Sequence, residues 1–167
     1  MGAGKIIALV GGVLGIIAVV LFYVMPEIFC FWRFDADPVL AIFLGGFGSS
    51  SGVVGGVDQE IQYAEDVYLL LMGILVVAGG GVALVGALVD NKGIAVLGGL
   101  LMLVGSAILL IALGLELGDF EDVAALLPSD ENLFFGSLGT ADWGLYTSFF
   151  LAIGGGVLGV IGGALIE

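Results

Sequence analysis

At 167 residues, with 60 % hydrophobic and 11 % charged residues and a mean hydropathy of +1.27, the chain lies outside the range of soluble globular domains. It has no His and a single Cys, Cys30, so donors for haem, thiolate zinc sites and a Cys/His nucleophile pair are missing, as is any intramolecular disulfide. A net charge of −13 opposes nucleic-acid binding.

The fold class expected is an all-α integral membrane protein, a bundle of four transmembrane helices forming one domain over residues 1–167. Apolar runs cover residues 6–25, 67–89, 94–115 and 144–166, none interrupted by Asp, Glu, Lys or Arg. Each is close to the ~20 residues a helix needs to cross hydrocarbon, and the alternating pattern of a membrane barrel is absent. The first run follows Lys5 and reads as a retained helix, because it is too long for a signal peptide and no small-x-small site follows Met25. It carries Gly11 and Gly15 at a four-residue spacing.

The loop over 26–66 is aromatic and apolar at Ile28–Phe34 and Val39–Phe47, so it should pack or dock, and short β-strands fit these runs in a small outer domain. Gly45–Gly56, with Ser49, Ser50 and Ser51 inside it, reads as a flexible tip. Asp58 then offers an N-cap from which the second helix would start outside the bilayer. That helix carries Gly79, Ala83 and Ala87, and a tight turn at Asp90–Gly93 leads to the third. In the shorter loop over 116–143, Asp119–Leu127 reads as an amphipathic helix stopped by Pro128, and Asp142 as the N-cap of the fourth span. The fourth span holds Gly155, Gly159 and Gly163, a double GxxxG. Small residues at this period let helix backbones approach closely where lipid supplies no hydrophobic drive. They pack the bundle or, through further faces that include Gly154 and Gly156, neighbouring subunits.

Lys5 and Lys92 place both termini in the cytoplasm of a multi-pass cell-membrane protein, and Tyr23, Trp32, Tyr63, Tyr68, Trp143 and Tyr146 gather toward the other side. Of the sixteen acids only Asp90 and Glu167 lie inside, so the outer face carries the charge. Such a field gathers cations. The acidic clusters Asp35/Asp37, Asp58/Glu60, Glu65/Asp66, Asp119/Glu121/Asp122 and Asp130/Glu131 do not have EF-hand spacing, and no metal site is assigned. All eleven Phe lie toward the outer half, which suggests a bundle narrow inside and broad outside.

Four spans, cytoplasmic ends, a longer first and shorter second outer loop, and the pair Trp32-Arg33 shortly after Pro26 resemble the claudin-like tetraspan proteins. The chain lacks that family's Gly-Leu-Trp signature and paired loop cysteines. The resemblance implies that the longer loop contributes strands to a small extracellular sheet, and that the outer domains make side-by-side and cell-to-cell contacts. The expected function is non-enzymatic, without catalytic residues or cofactor. The protein would self-assemble through glycine-rich faces, as a homo-oligomer or a subunit of a membrane complex, with partners meeting Trp32, Arg33, Phe34, Phe43, Phe134, Phe135 and Trp143. A cation-selective pore or transporter and an accessory subunit of a larger complex are the alternatives. Ionisable groups, the usual mark of ion pathways, are missing from the spans.

Overall fold

The computed structural model describes residues 2–36, 40–55, 57–63, 66–125, 127 and 132–167, the side chains of 58–63, 119 and 122 excepted. Its elements in chain order are α1 (Ala3–Val20), continued by a 3-10 turn at Leu21–Tyr23, then β1 (Trp32–Ala36), β2 (Leu40–Leu44), β3 (Ser49–Val54) and β4 (Val57–Tyr63). There follow α2 (Val67–Leu88), α3 (Lys92–Gly114), α4 (Asp119–Ala124), β5 (Phe135–Leu138), β6 (Ala141–Leu145) and α5 (Thr147–Ala164). The four long helices, α1, α2, α3 and α5, are each apolar enough to cross a membrane, as a multi-pass membrane protein requires. Two have side-chain caps. The Asp66 carboxylate accepts from the Tyr68 and Leu69 amides at 2.7 and 2.8 Å, and the Asn91 side chain accepts from Ile94 N at 3.1 Å.

The helices form a ring in which α1 and α3 each pack on both α2 and α5. Glycine sets how close they come. A Cβ on Gly98 would lie 2.2 Å from Ala83 N, one on Gly162 would lie 2.3 Å from Ala8 N, and one on Gly11 would lie 2.6 Å from Gly155 O. In the centre, Met102 of α3 is fully buried, and its side chain would meet a Cβ built on Gly15, Gly79 or Gly159, one from each other helix. Toward the sheet the packing changes to bulky side chains, with Phe22, Leu69, Met72, Leu109 and Phe149 buried.

All six strands join one antiparallel sheet in the order β4-β3-β2-β1-β6-β5, four strands from the first loop and two from the second. The sheet stands on the bundle. Tyr146 N donates to Phe31 O and Ser148 N to Cys30 O, which ties the foot of β1 to the start of α5, while the strand-end pairs Ala36–Leu40, Val54–Val57 and Leu138–Ala141 lie at the far end. The β2–β3 turn dips back to the helices, where Gly73 leaves a notch: a Cβ there would lie 2.3 Å from Phe47 N.

Several sequence expectations are corrected. Asp58 lies within β4, and the cap of α2 is Asp66, so the second helix does not begin at Asp58. Asp142 lies within β6, and α5 begins at Thr147 after N-cap Tyr146, so the fourth span is shorter than 144–166. Half of the supposed flexible tip at 45–56 is strand β3, whose backbone pairs with β2 and β4. The first helix begins at Ala3 and gives way to the 3-10 turn before Met25. Asp37, Glu65, Pro128, Asp130 and Glu131 lie outside the described residues.

Candidate functional site

Strand β1 alternates. Trp32 and Phe34 point to the buried face of the sheet and Arg33 and Asp35 to the other, as the two-residue period of a strand requires. On the buried face, Trp32 is fully enclosed, meets Phe120 edge-on at 6.0 Å between centroids, and donates from Nε1 to Leu133 O at 2.7 Å. Phe34 stacks on Trp143 at 6.4 Å, and Trp143 Nε1 donates to Asn132 O at 2.8 Å. Consecutive carbonyls of the second loop are therefore held by indoles from two different strands.

The opposite face is organised around Arg33. Its guanidinium donates from Nη1 to the Tyr146 hydroxyl at 3.1 Å and pairs through Nη2 with Asp35. Its central carbon lies 5.2 Å from the Tyr146 ring centroid and 5.9 Å from that of Phe43, within cation–π range. Burial acts to lower the affinity of this group for its proton, but Asp35 and Tyr146 together hold it above the ordinary arginine range. Asp35 and Asp142 are direct cross-strand partners, and Arg33 is paired with Gly144 one row nearer the helices on the same face. A cavity of about 360 Å³ opens on one side of Arg33, bounded by Phe135, Asp142 and Gly144–Tyr146. A second, of about 210 Å³, lies on the other side against Glu27, Asp35 and Phe43. Beneath this face Cys30 is buried with Phe22, Ala41 and Phe43. Burial pushes its thiol up to about 12, against a smaller opposing pull from Arg33, so it stays protonated at neutral pH.

The residues expected to meet partners divide into two groups. Trp32, Phe34, Phe43 and Trp143 are all buried and frame the sheet. Phe134 is half-buried with its ring over Gly114, Arg33 is half-buried between the two cavities, and Phe135 is 55 % exposed. The helix-packing set Gly11, Gly15, Gly79, Ala83, Ala87, Gly155, Gly159 and Gly163 is buried in the bundle. Of the four spans' glycines, Gly81 and Gly154 have no heavy atom within 4 Å of a Cβ position. The sequence reading did not identify Tyr146 and Asp142 as neighbours of Arg33. Asp35 alone had a local signal, two residues along the same strand face.

No protein-family model matches the chain, and no curated protein matches it.

Proposed function

We propose that this is a non-enzymatic structural or interaction protein whose helices, with both termini cytoplasmic, carry an extracellular sheet that contacts other copies or the other subunits of a membrane complex. The supporting observation is the apolar, uncharged edge of that sheet. Among the described residues β5 has no further strand beyond it, and it and its hairpin, Phe135 to Thr140, contain no ionisable residue. Its Phe135 and Leu138 are 55 % and 56 % exposed. An uncharged, exposed edge strand is a template for pairing, which isolated proteins usually block with charge or proline. The glycines packed inside the bundle are occupied by contacts within the chain, which leaves Gly81, Gly154 and the sheet edge open for assembly. The claudin-like reading agrees with a first loop that supplies four strands to one sheet, and with the Trp32-Arg33 pair at its centre.

A pathway through the single chain is disfavoured by two features. Helix α2 continues without a break through Gly79-Gly80-Gly81 and α5 through Gly154-Gly155-Gly156, and Met102 closes the bundle axis. The test is native mass measurement in nanodiscs with every co-purifying chain identified. A discrete homo-oligomer or stoichiometric partner that dissociates with Leu138→Asp is expected. A lone monomer in the wild type would sink the proposal.

A further inference from the structure

The cavity beside Arg33 opens at the level where the chain enters its last span, because its wall runs through Gly144, Leu145 and Tyr146 and α5 begins at Thr147. Below it, one face of α5 is exposed through Phe150, Val157 and Ile161, and Gly154, one turn below Phe150, leaves open space. Residues spaced by four and three positions share a helix face, so this is a continuous apolar stripe with a notch. Above it, the row of Arg33 and Gly144 is followed by the row of Asp35 and Asp142, two residues farther from the helices. At roughly 3.3 Å per strand residue, the backbone row of Asp35 and Asp142 lies about 6–7 Å beyond that of Arg33, and the Arg33 guanidinium reaches across this spacing to pair with Asp35. Leaving the helices, one therefore meets an apolar stripe, then Arg33 in its pair with Asp35, then the row that carries Asp142.

The charges on this face are unevenly matched. Arg33 neutralises Asp35, but Asp142 is exposed and has no ion-pair partner among the described residues, although it lies directly across from Asp35. Like charges directly opposite on a sheet destabilise it, so a cation is favoured there. Arg33 spends donors on Asp35 and Tyr146, and a guanidinium has five. Arg33 is also the one basic residue of the two loops.

We propose that this cavity binds the headgroup of a zwitterionic phospholipid from the leaflet on the sheet side. The acyl chain lies along Phe150 and Gly154, the phosphate meets Arg33, and the ammonium sits by Asp142 against the Phe135 ring. The order of apolar, anionic and cationic groups in such a lipid matches the stripe, the guanidinium and Asp142 in turn. Charge-assisted bonds from guanidinium to phosphate and a cation over an aromatic face are the contacts concerned. The volume, about 360 Å³, is at the small end of ligand cavities, as befits a headgroup. The site shares Phe135 with edge strand β5, whereas Asp142 lies on β6 and Gly154 on α5, so changes at these two report on the lipid separately from what the edge meets.

The experiment is native mass spectrometry of the full chain released from nanodiscs that contain phosphatidylcholine, phosphatidylglycerol or diacylglycerol, with soluble phosphocholine as a fourth probe. One phosphatidylcholine per chain should be retained about tenfold more strongly than the other probes, a difference of ~1.4 kcal/mol. Asp142→Asn should abolish the preference for the zwitterionic lipid over phosphatidylglycerol. Gly154→Leu should fill the notch and weaken retention of phosphatidylcholine and phosphatidylglycerol alike. Neither change removes a hydrogen bond or ion pair among the described residues, so both report even if Arg33→Gln, which should release both phospholipids, fails to fold. Equal retention of phosphatidylcholine, phosphatidylglycerol and diacylglycerol would overturn the proposal. So would soluble phosphocholine binding as tightly as the lipid, because the pocket would then serve a water-borne ligand.

Discussion

Gly98→Ala tests whether backbone contact holds the bundle together. The added methyl would lie 2.2 Å from Ala83 N and 2.5 Å from Gly79 O, both backbone atoms that cannot rotate away. Ordinary contact begins near 3.4 Å, so α2 and α3 would have to part by about 1 Å. A gap of that size forfeits roughly a quarter to a half of each dispersion contact it opens. Overpacking of this kind costs about 1–3 kcal/mol, while replacing a helical glycine with alanine returns up to ~1 kcal/mol. With the full helix gain subtracted, a net loss of about 0–2 kcal/mol remains relative to wild type, and about 1–3 kcal/mol relative to a glycine-to-alanine change that meets nothing. The same change at Gly154 or Gly81, where nothing lies within 4 Å, has no steric cost and should hold or raise stability. The assay is reversible unfolding of the three variants and wild type in mixed micelles, followed by circular dichroism. If Gly98→Ala unfolds together with Gly154→Ala, close backbone contact is not what sets the stability of the bundle.

Met102→Ala should cost about 2–5 kcal/mol in the same assay, because the glycines around it cannot close the void, whereas Met102→Leu should cost less than ~1.5 kcal/mol. Trp32→Phe keeps the aromatic body but leaves Leu133 O without its donor, and a loss of about 1–3 kcal/mol is expected, with faster proteolysis in the second loop as an independent readout. The buried thiol of Cys30 predicts a particular pH response. Because its folded pKa is raised from 9.0 to about 12, unfolding releases a proton between those values, so this group is neutral to stability below pH 9 and weakens the fold as the pH climbs toward 12. Cys30→Ala should remove that part of the alkaline slope, and the native thiol should react slowly with maleimide at pH 8.

The spans were legible because their signal is local: twenty or so apolar residues have few alternatives in a bilayer. The ends of α3 and the far end of α2 were found to within two residues for this reason, whereas a start of α2 at Asp58 lies nine residues too early, before Val67. The sheet was only partly legible, because strand pairing joins distant parts of the chain. Ser49 to Ser51 look like linker until β2 and β4 are seen to flank them, and Asp58 and Asp142 look like caps until the strands that contain them are known. The Arg33 site was least accessible of all, since Tyr146 stands 113 residues away and Asp142 reaches it only through the β1–β6 register. Trp32 and Trp143 drew attention as sticky aromatics, yet their indole donors are spent on the carbonyls of Leu133 and Asn132.

The change along the bundle from glycine contacts to bulky side chains makes the molecule mechanically uneven. At the end opposite the sheet, main chain rests on main chain, as at Gly162 on Ala8 and Gly86 on Ala95, and such contacts have no rotamers with which to yield. Beneath the sheet the contacts are made by buried side chains such as Phe22, Met72 and Phe149, of which the unbranched Met72 adapts most readily. A pull on the sheet would thus be damped in the upper layer before it reached the floor, so that the outer domain behaves as a sprung platform on a stiff base.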